Sequence, residues 1–199
     1  MLLDMFGVII TEGHLVTNIT SKFFPEVDLH DQRKAYHAYE RDEIDAAEYW
    51  RRIGSRLSIA ESERLLFDRF QVDPGFFELA DRLSGTMRFA VLSNIPKNWK
   101  PLTLEFGIGP YLSGFFASGE ERLWKPGHEY FELACRRLGV RSTDCVFVDD
   151  QENNLVAASE LEMLTIWVDR EEKYAFPSGY VPDYRVENLG EIIDLVGEE

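Results

Sequence analysis

The chain reads as an α/β fold: a doubly wound, mostly parallel sheet with a helical segment inserted after its first strand. Three observations predict it. Short apolar runs end in polar residues at 2–4, 89–94 and 145–150. From residue 87 onward such runs alternate with helical patterns, as parallel strands joined by crossover helices do. Between residues 14 and 83 strand periodicity is absent and helical spacing replaces it.

The first ten residues, Met1 to Ile10, place Asp4 directly after an apolar run and Gly7 three residues later. That pattern predicts a buried strand with an acid at its C-terminal tip, then a tight turn. Ligands of open α/β sheets bind at such strand ends. Residues 11–13 leave the core. Helices are then expected over 31–40 and over 45–57. In the second, Asp45 suits the N-cap and Ala46, Tyr49, Trp50, Ile53 and Leu57 recur at helical spacing. Another begins at Ser58 or Ser62 and runs through Phe70, and a fourth spans 73–83 with Pro74 at its first position. Roughly 70 inserted residues are enough for a small helical bundle. Tyr36, Tyr39, Tyr49, Trp50, Phe67 and Phe70 read mainly as its core, and otherwise as a surface for a partner. The alternation then gives strand 89–92, helix 99–106, a turn at Gly107 and Gly109, strand 114–117, helix 126–138 and strand 145–148. Helix 154–161, strand 164–168, an edge strand at 184–186 and a helix over 189–196 follow. The expected α/β core is therefore discontinuous, 1–13 plus 84–199, with 14–83 inserted.

Hydrophobic residues make up 45% of the 199 and charged residues 29%, the balance of a soluble globular protein. No apolar run approaches the roughly 20 residues of a membrane helix, and the N-terminus lacks the basic flank of a secretory signal. Cys135 and Cys145 fall in a helix pattern and a strand pattern, as small core residues of a reducing cytoplasm would. The net charge of −15 argues against nucleic acid and anionic membranes as partners. Any phosphate site then needs local cations.

Four stretches in order, Asp4-Met5-Phe6-Gly7, Ser93-Asn94, Lys125-Pro126 and Asp149-Asp150, resemble the four motifs of the haloacid dehalogenase-like hydrolase superfamily. The resemblance covers most of the chain. It implies a Rossmann-like core, a helical cap over residues 14–83, and a phosphatase working with Mg²⁺ on a small phosphorylated metabolite. It further implies Asp4 as nucleophile and Asp4, Asp150 and the Phe6 carbonyl as metal ligands, with Asp149 binding directly or through water. Lys125, Ser93, Asn94 and Asn154 become substrate-side residues, Asn154 acting through its neighbours. Physical chemistry agrees: converging acids repel one another, a divalent cation resolves the conflict, and oxygen-only donors suit Mg²⁺. A carboxylate beside that ion can attack phosphorus. Each motif alone has a plainer reading, as a helix cap, a solvated lysine or a strand-to-helix turn. Their joint order favours the site.

The sequence departs from the motif at Phe6, where family phosphatases carry a second aspartate that protonates the leaving group. Such help is worth roughly 10²–10⁴-fold, and phenylalanine cannot transfer a proton. Glu12, His14 and Glu120 are candidate substitutes. Haloacid dehalogenases carry an aromatic residue at the equivalent place, so a metal-independent dehalogenase is one alternative, and a pseudoenzyme that keeps only the fold is another. Two acids beside Asp4 would repel the carboxylate-bearing substrate of a dehalogenase.

Overall fold

A computed structural model describes residues 1–171, 173 and 175–196. Within them β1 (Leu2–Leu3), β2 (Phe89–Ser93), β3 (Leu112–Ala117), β4 (Val146–Asp149), β5 (Leu164–Val168) and β6 (Tyr184–Val186) form one parallel sheet, ordered β3-β2-β1-β4-β5-β6. Leu2 and Leu3 register against Ala90 and Val91 on one side and against Phe147 and Val148 on the other. A central strand covered on both faces buries every side chain, which is why this run is uniformly apolar. Chain order reverses between β1 and β4, and the crevice at such a switch point is where ligands bind. The pairing continues to the acid itself, because Asp4 N donates to the Val148 carbonyl at 3.0 Å.

Between β1 and β2 come a π-helical turn (Val16–Thr20), α1 (Ser21–Phe23), α2 (Leu29–Glu40), α3 (Ala46–Arg52), α4 (Ile59–Phe67) and α5 (Pro74–Leu83). Side-chain oxygens of Asp28, Asp45, Ser58 and Asp73 cap the starts of α2 to α5, Ser58 in a reciprocal box with Glu61. α3 is shorter than the apolar spacing predicts. Gly54 takes φ +86°, a conformation that ends helices, and Leu57 is left 47% exposed. The helix beginning at Ser58 likewise stops at Phe67 instead of continuing to Phe70. The turns at 16–23 have no counterpart in the periodicity.

The remaining helices are α6 (Trp99–Leu104), α7 (Ser118–Glu121), α8 (His128–Leu138), α9 (Glu152–Glu160) and α10 (Ile192–Val196). α8 starts later than the expected 126 because Gly127 is extended and serves as its N-cap. Alternate strand residues face opposite layers. Leu2, Ala90, Leu92 and Phe147 pack with α8 and α9, while Leu3, Val91 and Val148 pack with α6, α10 and the inserted helices, α5 among them. Cys135 and Cys145 are buried free thiols in the first layer, their Sγ atoms 3.9 Å apart. In the second, fully buried Trp99 of α6 meets Phe6, Tyr36, Tyr39, Tyr49, Trp50 and Phe67 with ring centroids 5.6–6.5 Å away. The inserted aromatics therefore fill a core shared with the sheet domain.

Candidate active site

β1 delivers Asp4 to the sheet's C-terminal edge, where its Oδ1 accepts from Met5 N at 2.7 Å and from Lys125 Nζ at 2.9 Å. The same Nζ lies 2.6 Å from Asp149 Oδ2. Lys125 is buried, and its backbone is clamped at both ends by one side chain. Asn94 Oδ1 accepts from Lys125 N at 2.8 Å, and Asn94 Nδ2 donates to the Lys125 carbonyl at 2.9 Å. Asn154 Nδ2 reaches both oxygens of Asp149 at 3.1 Å, and Gln151 N donates to Asp149 Oδ1 at 2.7 Å. Ser93, the last residue of β2, is buried and lines the same cavity, its carbonyl taking the Tyr130 hydroxyl at 3.1 Å.

The turn after β1 makes room for Asp150. Gly7 has φ +82°, and a Cβ there would stand 2.5 Å from Asp150 Oδ2, so glycine is required for both conformation and space. Arg170 braces this turn. It donates to the carbonyls of Gly7 at 3.1 Å and Val8 at 2.8 Å while pairing with buried Asp73 at 2.6 Å.

Asp4, Asp149 and Asp150 each present an oxygen within 4.8 Å of the others. Three acids face one lysine. Burial pushes the Asp149 carboxyl up to about 6, with Lys125 opposing the rise and Asp4 adding to it. Asp150 is raised as well, by burial and then by the charges of Asp149 and Asp4. Burial disfavours the Lys125 ammonium, but Asp149 and Asp4 outweigh that and hold its pKa above the ordinary lysine value. Such a cluster is short of positive charge, and its all-oxygen donor set fits a hard divalent cation.

Residues 1–161 match the family model of haloacid dehalogenase-like hydrolases. The chain belongs to that family. A glyceraldehyde 3-phosphate phosphatase of Methanocaldococcus jannaschii is 29% identical over 101 residues, 50% of this chain; the chain spans only 44% of that protein's length. A sesquiterpene phosphatase of Aspergillus oryzae is 23% identical over 81% of this chain and 85% of its own. In fold, the chain matches a phosphatase structure from Thermococcus onnurineus (TM-score 0.75, 20% identity, covering 100% and 97% of the two chains). It matches an L-2-haloacid dehalogenase from Xanthobacter autotrophicus equally well (TM-score 0.75, 16% identity, 99% and 97%). The fold is common to both chemistries, so the side chains must decide between them.

In this hydrolase Phe6 packs its ring on Phe70 at 5.1 Å between centroids and presents an apolar wall to a cavity of about 380 Å³ beside Asp4. Of the three substitutes suggested by sequence, the structure brings His14 to that cavity, with φ +51°. Glu12 instead accepts from Thr11 Oγ1 and Gln71 N. Glu120 pairs with Lys100 at 2.6 Å on the outside. The opposite wall comes from α2, through Arg33, Tyr36, His37 and Glu40. Tyr36 Oη donates to the Asn94 carbonyl at 3.2 Å and Ser118 Oγ to the Glu40 carbonyl at 2.6 Å, which fix α2 over the site. Motif reading misses Arg33, His37 and Glu40. The sequence signal for the last two is a His and a Glu three apart on a helix, a spacing that places them side by side.

Proposed function

We propose that this hydrolase is a Mg²⁺-dependent phosphatase that moves the phosphoryl group of a small phosphorylated molecule to Asp4 and then to water. The observation that carries the reading is Lys125 Nζ held 2.9 Å from Asp4 and 2.6 Å from Asp149, with Asp150 beside them. Asp4, Asp150 and the Phe6 carbonyl would hold the ion, Asp149 binding directly or through water. When bound, it supplies charge neutralisation at the phosphoryl oxygens. Lys125 adds its own charge there, the Ser93 hydroxyl donates a hydrogen bond, and Asn94 and Asn154 keep Lys125 and Asp149 in place. Asp4 attacks phosphorus; water then attacks the aspartyl-phosphate and returns the carboxylate.

The phosphatase relatives support a phosphorylated substrate, and the charge of −15 supports a small molecule over nucleic acid or a membrane surface. No helix among the described residues is long and apolar enough to cross a membrane, and we place the enzyme in the cytoplasm. Residues 14–83 we read as the cap. Within them α2 walls the cavity, whereas α5 packs against α10 and lies with the layer flanking the sheet. Phe6 favours the dehalogenase reading, but Asp149 and Asp150 disfavour it by repelling a carboxylate substrate. Phosphate release from aryl, acyl and alkyl phosphates, with and without a chelator and in Asp4→Asn, tests the proposal. Turnover that needs both Mg²⁺ and Asp4 is expected. Halide release that survives the chelator, or silence from folded protein, would sink it.

A further inference from the structure

Phe6 removes the proton carrier of the phosphotransfer reading, and the cavity itself narrows the search for a replacement. Among the titratable groups lining it, Asp4, Lys125 and Asp150 are committed to one another. Arg33 offers only hydrogen-bond donors and gives one of them to Thr17 Oγ1 at 2.8 Å. Tyr36 spends its hydroxyl on the Asn94 carbonyl, and burial raises its pKa well above the ordinary phenol value. Among the described residues no carboxylate is hydrogen-bonded to the His14 ring, Glu171 acting with it through charge alone. His37 has one: Glu40 Oε1 sits 2.8 Å from its Nδ1, the Glu40 side chain is 3% exposed and that of His37 56%. A buried carboxylate on Nδ1 fixes the ring and leaves Nε2 unclaimed by Glu40, on a residue that lines the cavity, the arrangement of an oriented general acid–base.

Resting on the phosphatase reading, we propose that His37, oriented by Glu40 on α2, carries the proton that the residue at Phe6 cannot. In the first step an Asp4 oxygen bonds to phosphorus and the bond to the ester oxygen breaks. The electron pair of that bond goes to the leaving oxygen, which takes the proton from His37 Nε2. In the second, neutral His37 takes a proton from water and the hydroxide oxygen attacks phosphorus. The bond to Asp4 breaks with its electrons returning to the carboxylate. The sum is phosphoester plus water giving alcohol and phosphate, with His37 reset. The hydrogen bond that His37 Nδ1 donates to Glu40 raises the His37 pKa above its ordinary value, so the acid form persists toward neutral pH.

His37 is half exposed, so His37→Gln folds. The test uses substituted phenyl phosphates of graded leaving-group basicity, with Mg²⁺, on the whole chain. The expected result is selective: kcat for the poorest leaving group falls at least about 10²-fold, while the best falls less than about tenfold. Adding Phe6→Asp to His37→Gln then restores the poorest substrate. An unchanged dependence on leaving-group basicity in His37→Gln, with turnover still abolished by Asp4→Asn, overturns the role of His37 and leaves the phosphatase reading standing. Turnover that survives Asp4→Asn overturns both.

Discussion

The two walls of the cavity are built on different principles. The sheet wall consists of residues from strand tips, the loop before α8 and the start of α9 that hold one another: Lys125 is paired with two acids, Asn94 pins its backbone and Asn154 spans Asp149. Every one of these groups is buried, apart from partly buried Asn94. The α2 wall is half open, with His37 and Arg33 reaching solvent while Tyr36 and Glu40 tie the helix down. A buried charge network tolerates little change, because each deletion strands a partner. A half-exposed helical face can change its side chains without disturbing the cluster below. On the proposed phosphatase reading, the phosphoryl chemistry belongs to the rigid wall and the choice of substrate to the adaptable one.

The sharpest way to break this contrast is Asp4→Asn, which should lower phosphate release by about 10³-fold or more with the fold intact. A residual rate near wild type, read by phosphate assay, would remove Asp4 from the chemistry. Next, Lys125→Met strands Asp4 and Asp149 and should cost about 3–5 kcal/mol in metal-free urea titrations. A loss under 1 kcal/mol, on the scale of an exposed pair, would show that the cluster is not held by this lysine. Gly7→Ala forces a Cβ against Asp150 and should weaken Mg²⁺ binding roughly 10–100-fold by calorimetry, the scale of displaced ligand supports. Unchanged affinity would place the ion away from Asp150. The smallest effect belongs to the other wall. Arg33, which donates to Thr17 Oγ1 at 2.8 Å, should on replacement by alanine raise KM about tenfold with kcat nearly unchanged, as lost uniform binding does. An equal fall in kcat would erase the distinction between the walls.

The sheet wall was legible in the sequence because its signals are local. An acid after Leu3, a serine after Leu92 and two acids after Val148 each mark a strand tip without knowledge of the neighbouring strands. Strand alternation fixed their common edge, and the parallel sheet places them there. The α2 wall was not legible, because its role is tertiary. His37 and Glu40 three residues apart resemble an ordinary surface pair, and only docking against Asn94 and Ser118 buries Glu40 and brings the pair to the wall of the cavity that holds Asp4. Helix ends failed for a related reason. Apolar spacing runs on to Leu57, yet α3 stops at Arg52, five residues earlier, ahead of the turn at Gly54, and no spacing rule foretells the turns at 16–23. Glu12 and Glu120 lie near motif ends in sequence but face Gln71 and Lys100 in space.

The most direct test of the phosphatase account is to trap the covalent intermediate. Protein turning over an aryl phosphate with Mg²⁺ would be quenched in acid, digested and mapped by mass spectrometry. The account predicts a phosphoryl group on the peptide containing Asp4, absent when the chelator is present and absent in Asp4→Asn. Turnover that continues while the adduct maps to another residue would contradict it.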